Sequence, residues 1–273
     1  CKPASAGRAG PGRLRGAWRY RSFILCSIKT DLRIRFVRRW SGGLWLIVHP
    51  LAQALIFAFV LSAVLSGELP GTGHRYAYAR YLMAGILGWS LFIEIVNRCL
   101  TLFIDNGNIL KRLVFPRIAL PLIATGNALV NNALLFVAIL TILGLLGHLP
   151  GSALVWLPAP MLVNMALALG FGLALGVLNV FMRGVGRIVP VIMQFLFWLT
   201  PIVYMADIIP GEYRGWLLLN PLIPIITGYQ NVLLYNRAPD WIGLSGVALI
   251  AATLLAFALV LFRRASPEMV DQL

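Results

Sequence analysis

Few residues in this chain have the types or spacing to do chemistry. A P-loop needs Gly-Lys-[Ser/Thr], because glycine amides cradle the phosphates while the lysine reaches their oxygens. Lys2, Lys29 and Lys111 follow Cys1, Ile28 and Leu110, so the chain binds no ATP by that route. His49, His74 and His148 fall on separate segments, away from paired cysteine or carboxylate ligands, and no metal site is expected from them. Cys1, Cys26 and Cys99 are odd in number and scattered, which offers neither a disulfide framework nor metal spacing. The serines show no nucleophile-elbow signature. One pair stands out. Glu94 and Arg98 lie one helical turn apart in an otherwise apolar run, and an intramembrane charge is held at least cost beside its opposite. They read either as a proton site or a polar contact with substrate, or as a neutralised pair facing the bundle or the headgroups. A single buried acid leaves proton-coupled transport little to work with.

The elements that must position these residues are membrane helices. Of 273 residues, 60% are hydrophobic and only 12% charged, with a mean hydropathy of +0.85; soluble chains carry about 45–50% apolar and about 25% charged residues. The fold class is therefore an all-α integral membrane protein. A helix crosses the bilayer with about 20 apolar residues, and six runs qualify: Leu44–Leu65, Tyr81–Ile104, Ile118–Leu146, Ala153–Phe181, Ile188–Met205 and Trp241–Phe262. None shows the alternation of an outer-membrane strand. Met83 is the first methionine, so the true start is expected upstream of Cys1.

Charge orients the spans. The formal net charge is +14, and eleven of the 23 Lys+Arg residues precede Gly42. Nucleic acid suits a lipid-embedded chain poorly, so this excess reads as a membrane address. Six spans put eighteen basic residues on one side and four (Arg75, Arg80, Arg214 and Arg237) on the other, a bias that marks the richer side as cytoplasmic. A seventh span over Leu217–Tyr235 would weaken the bias. That stretch carries Asn220, Pro221, Pro224 and Gly228 and reads as a re-entrant helical pair that dips into the outer leaflet without crossing. Both termini are then cytoplasmic. The predicted organisation is a disordered tail over 1–12, a cytoplasmic amphipathic interface helix over 13–40 and a six-helix transmembrane domain over 41–265. Within that domain lie a loop over 105–117 and the periplasmic re-entrant helices over 207–237; a cytoplasmic tail follows over 266–273. The interface helix rests on Trp18, Leu25, Ile28, Leu32 and Phe36 at helical spacing among arginines; a merely positive-inside tail is the alternative.

Other polar residues inside the spans are uncharged: Gln53, Asn97, Asn127, Asn131, Asn132, Asn164, Asn179 and Gln194. Interhelical hydrogen bonding accounts for most of them, although Asn127 and Asn131, one turn apart, also suit a hydrated path. Aromatics gather towards the outer side, Tyr81, Trp198, Tyr204 and Tyr229 among them. They form either an interfacial belt or stacking surfaces for sugar rings. The loop Asp105–Arg117 places Ile109, Leu110, Leu113 and Val114 at helical spacing. It is a connector, or a short helix whose apolar residues meet a partner.

An ordered series of motifs supports a resemblance running from about Ala17 to the end. The series comprises Tyr81-Leu-Met-Ala-Gly-Ile-Leu-Gly-Trp-Ser-Leu-Phe92, Asn106-Gly-Asn-Ile-Leu-Lys-Arg-Leu-Val-Phe-Pro-Arg117, Thr200-Pro-Ile-Val-Tyr204, Asn220-Pro-Leu-Ile-Pro224, Gly228-Tyr-Gln230, Pro239-Asp-Trp241 and Glu268-Met-Val-Asp-Gln-Leu273. Together they resemble the membrane (permease) subunits of type-2 ABC exporters for polysaccharides, and most of all those that export lipopolysaccharide O-antigen. The resemblance implies six spans, the interface helix and the re-entrant pair, in a homodimer with its channel between subunits. It further implies two copies of a cytoplasmic ATPase that carries ATP and Mg, no cofactor on this chain, and an undecaprenyl-diphosphate-linked glycan as substrate. The location implied is the bacterial inner membrane. Asn106, Asn108, Leu110, Lys111, Arg112, Leu113, Phe115, Pro116 and Arg117 match the segment that couples to the ATPase. Arg33, Arg35, Arg38 and Arg39 would meet the lipid pyrophosphate. Tyr81, Trp89, Asn127, Asn131, Trp198, Tyr204 and Tyr229 are candidates for the channel and its glycan.

The family's Arg-Asp-[Ile/Val]-Gly after the fourth span is here Arg183-Gly-Val-Gly186, so its Asp has no counterpart and Gly184 is given no role. Likewise, Arg38 and Arg39 precede Ser41-Gly42, where small polar residues are usual. The alternatives are a permease for capsular polysaccharide or teichoic acid, or a polytopic polyprenyl-linked glycan polymerase or glycosyltransferase. The enzyme would need paired acids, and the outer loops supply Glu68, Asp207, Glu212 and Asp240 without a recognisable pair.

Overall fold

The computed structural model describes residues 77–107, 119–145, 150–182, 184–204 and 220–272, with Val48, Ala52, Gly147 and Gly215 as isolated positions. Among the described residues six α-helices occur: α1 (Ala77–Asp105), α2 (Ala119–Leu145), α3 (Pro158–Phe181), α4 (Val185–Leu199), α5 (Leu222–Leu233) and α6 (Trp241–Gln272). A short 3-10 turn, Ser152–Trp156, leads into α3. No strand occurs among the described residues. Among the described residues four helical stretches are long and apolar enough to cross a membrane: Tyr78–Asp105, Ala119–Leu145, Ser152–Phe181 and Trp241–Ala265. They coincide with the second, third, fourth and sixth predicted spans. The predicted interface helix, and the first span apart from Val48 and Ala52, lie outside the described residues.

Two elements, α4 and α6, differ in extent from the sequence-based expectation. The run Ile188–Met205, expected to be the fifth span, holds the 15-residue α4, which starts at Val185, stops at Leu199 and at about 22 Å is shorter than the roughly 30 Å hydrocarbon core. Thr200 takes an extended conformation (φ −99°, ψ 134°) because the following Pro201 disfavours the helical region at the residue before it. The helix of the sixth predicted span, expected to close at Phe262, continues beyond its apolar stretch through Pro267 to Gln272. Met269 on that extension is buried beside Leu102, Phe103, Val177 and Phe262, and this packing rewards a further turn where hydropathy alone marks an end.

α3 is the hub, packed chiefly on α6 and α1. It opens with Pro158 and Pro160, well suited to a helix start, where the missing N–H costs nothing. Lipid tails are as apolar as leucine, so helices in a bilayer associate by close packing, which small residues permit. Gly170 turns to Leu254 and Leu255 of α6, while Gly172 and Gly176 turn to Cys99 of α1. On α1, Gly88 admits Ile226 and Tyr229 of α5. α5 has 12 residues, eight of them buried; at about 1.5 Å per residue it is about 18 Å long, short of the roughly 30 Å hydrocarbon core.

Candidate functional site

Polar side chains from two neighbouring helices converge on α1. Glu94 and Arg98 pair there as expected: Arg98 donates to Glu94 Oε1 from Nε at 2.9 Å and from Nη2 at 2.7 Å. Both side chains keep about a fifth of their surface open, 21% for Arg98 and 22% for Glu94. Asn131 of α2 donates its Nδ2 to the same Oε1, tying the pair to a second helix. Asn132 Nδ2 reaches Leu87 O at 2.9 Å and Ser90 Oγ at 3.1 Å. From α3, Asn164 donates to Gly88 O at 2.8 Å and Asn179 to Leu100 O at 2.9 Å. Each amide takes up a free lone pair of a helical carbonyl or carboxylate, so these polar groups hold α2 and α3 in register with α1. Asn179 also accepts from Gly186 N at 2.7 Å through its Oδ1, giving the start of α4 an acceptor from within the bundle where the residue before it, Gly184, has no side chain to offer.

At the Tyr78 end, α1 clasps the chain that follows α4. Tyr78 donates to Val203 O at 2.6 Å, and Tyr81 lies 3.0 Å from both Pro201 O and Tyr204 O. Gln230 of α5 donates to Pro201 O at 3.1 Å. Asn220 donates to Thr200 Oγ1 at 2.9 Å and accepts from Leu222 N at 3.0 Å, holding the start of α5 against the end of α4. Arg80 Nη2 donates to Leu234 O at 2.6 Å, placing a cation at the carbonyl end of α5, where the helix dipole favours one. Asp240 accepts from Ile242 N and Gly243 N and starts α6.

The candidate residues fall into separate places. Tyr81 and Tyr229 are buried, at 5% and 1% exposure, with the Tyr229 ring against Gly88; a ring enclosed in this way stacks on helices. Trp89 is half-buried, its ring 5.4 Å from Phe197 and 5.9 Å from Phe92. Tyr204 is half-buried, and Trp198 is exposed. Asn127 and Asn131 are buried. Asn106 folds back on Leu102 O at 2.8 Å at the end of α1. Asn108, Leu110, Lys111, Arg112, Leu113, Phe115, Pro116 and Arg117 lie outside the described residues, as do Arg33, Arg35, Arg38 and Arg39. Residue patterns missed the clasp formed by Tyr78, Arg80, Thr200, Asn220 and Gln230. Its signal was present in Thr200-Pro201 and Asn220-Pro221, where a hydrogen-bonding side chain sits beside a forced break. Among the described residues no group of His, Cys, Asp and Glu is arranged to hold a metal.

A family model described as "ABC-2 type transporter" matches residues 23–234. The chain is similar to the O-antigen export system permease protein RfbA of Klebsiella pneumoniae, with 27% identity over 205 residues, 75% of this chain and 77% of that protein. It is similar to the protein of the same name from Myxococcus xanthus, with 24% identity over 266 residues, 95% and 98% of the two chains. It is also similar to the polysialic acid transport protein KpsM of Escherichia coli, with 21% identity over 245 residues, 88% and 92%.

Proposed function

Because the chain belongs to the ABC-2 type transporter family, we propose that it is the permease of a polysaccharide exporter that moves undecaprenyl-diphosphate-linked O-antigen across the inner membrane. The observation that carries this reading is the end-to-end likeness to the Myxococcus protein named for O-antigen export. The working unit is a homodimer of six-span subunits with both termini in the cytoplasm. Two copies of a separate ATPase bind ATP and Mg and dock on the segment around Asn106–Arg117. Arg33, Arg35, Arg38 and Arg39 meet the lipid pyrophosphate at the cytoplasmic surface, and Trp89, Trp198 and Tyr204 offer ring faces to passing sugars.

α1 suits the transmission of force between ATPase and outer gate. Its Asp105 end runs into the coupling segment, and its Tyr78 end holds the loop after α4 and the end of α5 through Tyr78, Arg80 and Tyr81. At 29 residues it is a rod about 43 Å long. Nucleotide binding on the partner would bias the dimer between a closed and an open arrangement, and a tilt of α1 would carry that bias to the outer clasp. A glycosyltransferase is less well supported, since Asp240, one of four outer-loop acids, is committed to starting α6. The likeness to KpsM favours a capsular polysaccharide as the second reading.

The test is reconstitution in liposomes with the ATPase subunit and lipid-linked glycan. The complex should deliver glycan across the bilayer only with ATP, and the permease alone should hydrolyse none. Robust hydrolysis by the contaminant-free permease, or ATP-independent delivery, overturns the proposal. The lipid and sugars that are transported separate O-antigen from capsule.

A further inference from the structure

α1 and α4 leave two open faces of opposite character. On α4, Ile188, Val191, Ile192 and Phe195 are exposed, an apolar stripe that lipid or another apolar helix covers without penalty. On α1 the open face is polar from Ser90 to Thr101, with Ile104 exposed beyond them. Ser90, Glu94, Asn97, Arg98 and Thr101 recur at helical spacing and share one side, at about 100° per residue. Asn97 and Thr101 are exposed, and Ser90, Glu94 and Arg98 are half-buried. The opposite side of the same helix is enclosed, with Phe92, Val96, Cys99 and Phe103 all buried. Asn131 and Asn132 of α2 reach this stripe at Glu94 and Ser90, whereas Asn97 and Thr101 make no side-chain hydrogen bond among the described residues. The stripe runs from mid-helix to within about 6 Å of Asp105 along the axis, at about 1.5 Å per residue.

We infer that this face of α1 is a water-filled lane that hydrogen-bonds the hydroxyl groups of the glycan as it passes; the inference rests on the polysaccharide reading above and assigns its contact surface. Lipid is a poor neighbour, because an amide, a hydroxyl and an ion pair facing hydrocarbon are expensive at that depth. The charge balance selects the occupant. Glu94 and Arg98 neutralise one another, so the stripe attracts neither a free ion nor a phosphate strongly. Glu94 Oε1 takes three donors, two from Arg98 and one from Asn131, so the pair is held in place while the Asn97 amide and the Thr101 hydroxyl stay exposed on the same stripe. A row of mixed donors and acceptors with no net charge matches a polyhydroxylated chain. It also suits passage, since contacts of this kind are weak one by one.

The test uses the full chain with its ATPase in inverted membrane vesicles, from cells that make the glycan and cells that do not. In a cysteine-free background, N97C and T101C should react with a charged methanethiosulfonate reagent, and F195C should not. Reaction at Asn97 and Thr101 should be slower in the glycan-containing vesicles. The N97L/T101L variant, which is more apolar and so not impaired in insertion, should reach the membrane at the normal level yet export about tenfold more slowly, as expected for losing two modest hydrogen bonds. Unreactive cysteines, or wild-type export by N97L/T101L, would each overturn the lane. Failure of the unmodified complex to export any glycan would instead sink the functional reading on which the lane depends.

Discussion

At the scale of single residues, the Glu94–Arg98 pair and its third member make the sharpest claim. Arg98→Gln or Glu94→Gln alone leaves a charge without its partner inside the membrane, whereas the double change removes both. The double variant should therefore be more stable than either single, with a coupling energy of about 1–3 kcal/mol. Heating the detergent-solubilised variants and following the monodisperse fraction measures this; additive losses would mean that the pair is only a surface contact. Tyr81→Phe removes a hydroxyl that lies between Pro201 O and Tyr204 O and should cost about 1 kcal/mol, with little effect on insertion. The pair was legible in sequence because a spacing of four residues puts both side chains on one helix face. Asn131 was not, since its place beside Glu94 depends on the register between α1 and α2. The burial of Tyr81 and Tyr229 was hidden for the same reason: an aromatic at the end of a span looks alike in sequence whether it faces water, lipid or another helix.

Between helices, closeness of approach decides what a substitution does. A Cβ on Gly176 would meet the Cys99 carbonyl, which belongs to the backbone and cannot step aside, whereas Gly246 of α6 faces open space. Gly176→Ala should therefore destabilise the bundle by about 1–3 kcal/mol through overpacking. Gly246→Ala should be neutral or gain up to about 1 kcal/mol, the ordinary helix preference for alanine. The same melting measurement ranks them; equal effects would contradict the tight α1–α3 seam. The four long apolar helices could be found from hydropathy, because their length is set by the bilayer. The end of α4 could not, as the residues on both sides of Thr200-Pro201 are equally apolar and the break follows from backbone sterics. α6 errs in the opposite sense, extended beyond its apolar run by the packing of Met269.

At the scale of the whole molecule, the distribution of arginines predicts which side of the membrane each loop faces. Single cysteines at Arg112 and Arg264 should resist membrane-impermeant thiol reagents in intact spheroplasts, while one at Glu212 should label; labelling at Arg264 would restore a seventh span. The central claim is that this chain is the route by which a lipid-linked polysaccharide leaves the cytoplasm. It is tested most directly by removing the chain from its cell and measuring where the polymer is. The account predicts that surface polysaccharide disappears while the lipid-linked polymer accumulates on the cytoplasmic side, and that both return when the chain is supplied again. Surface polysaccharide at the normal level in its absence would contradict the account.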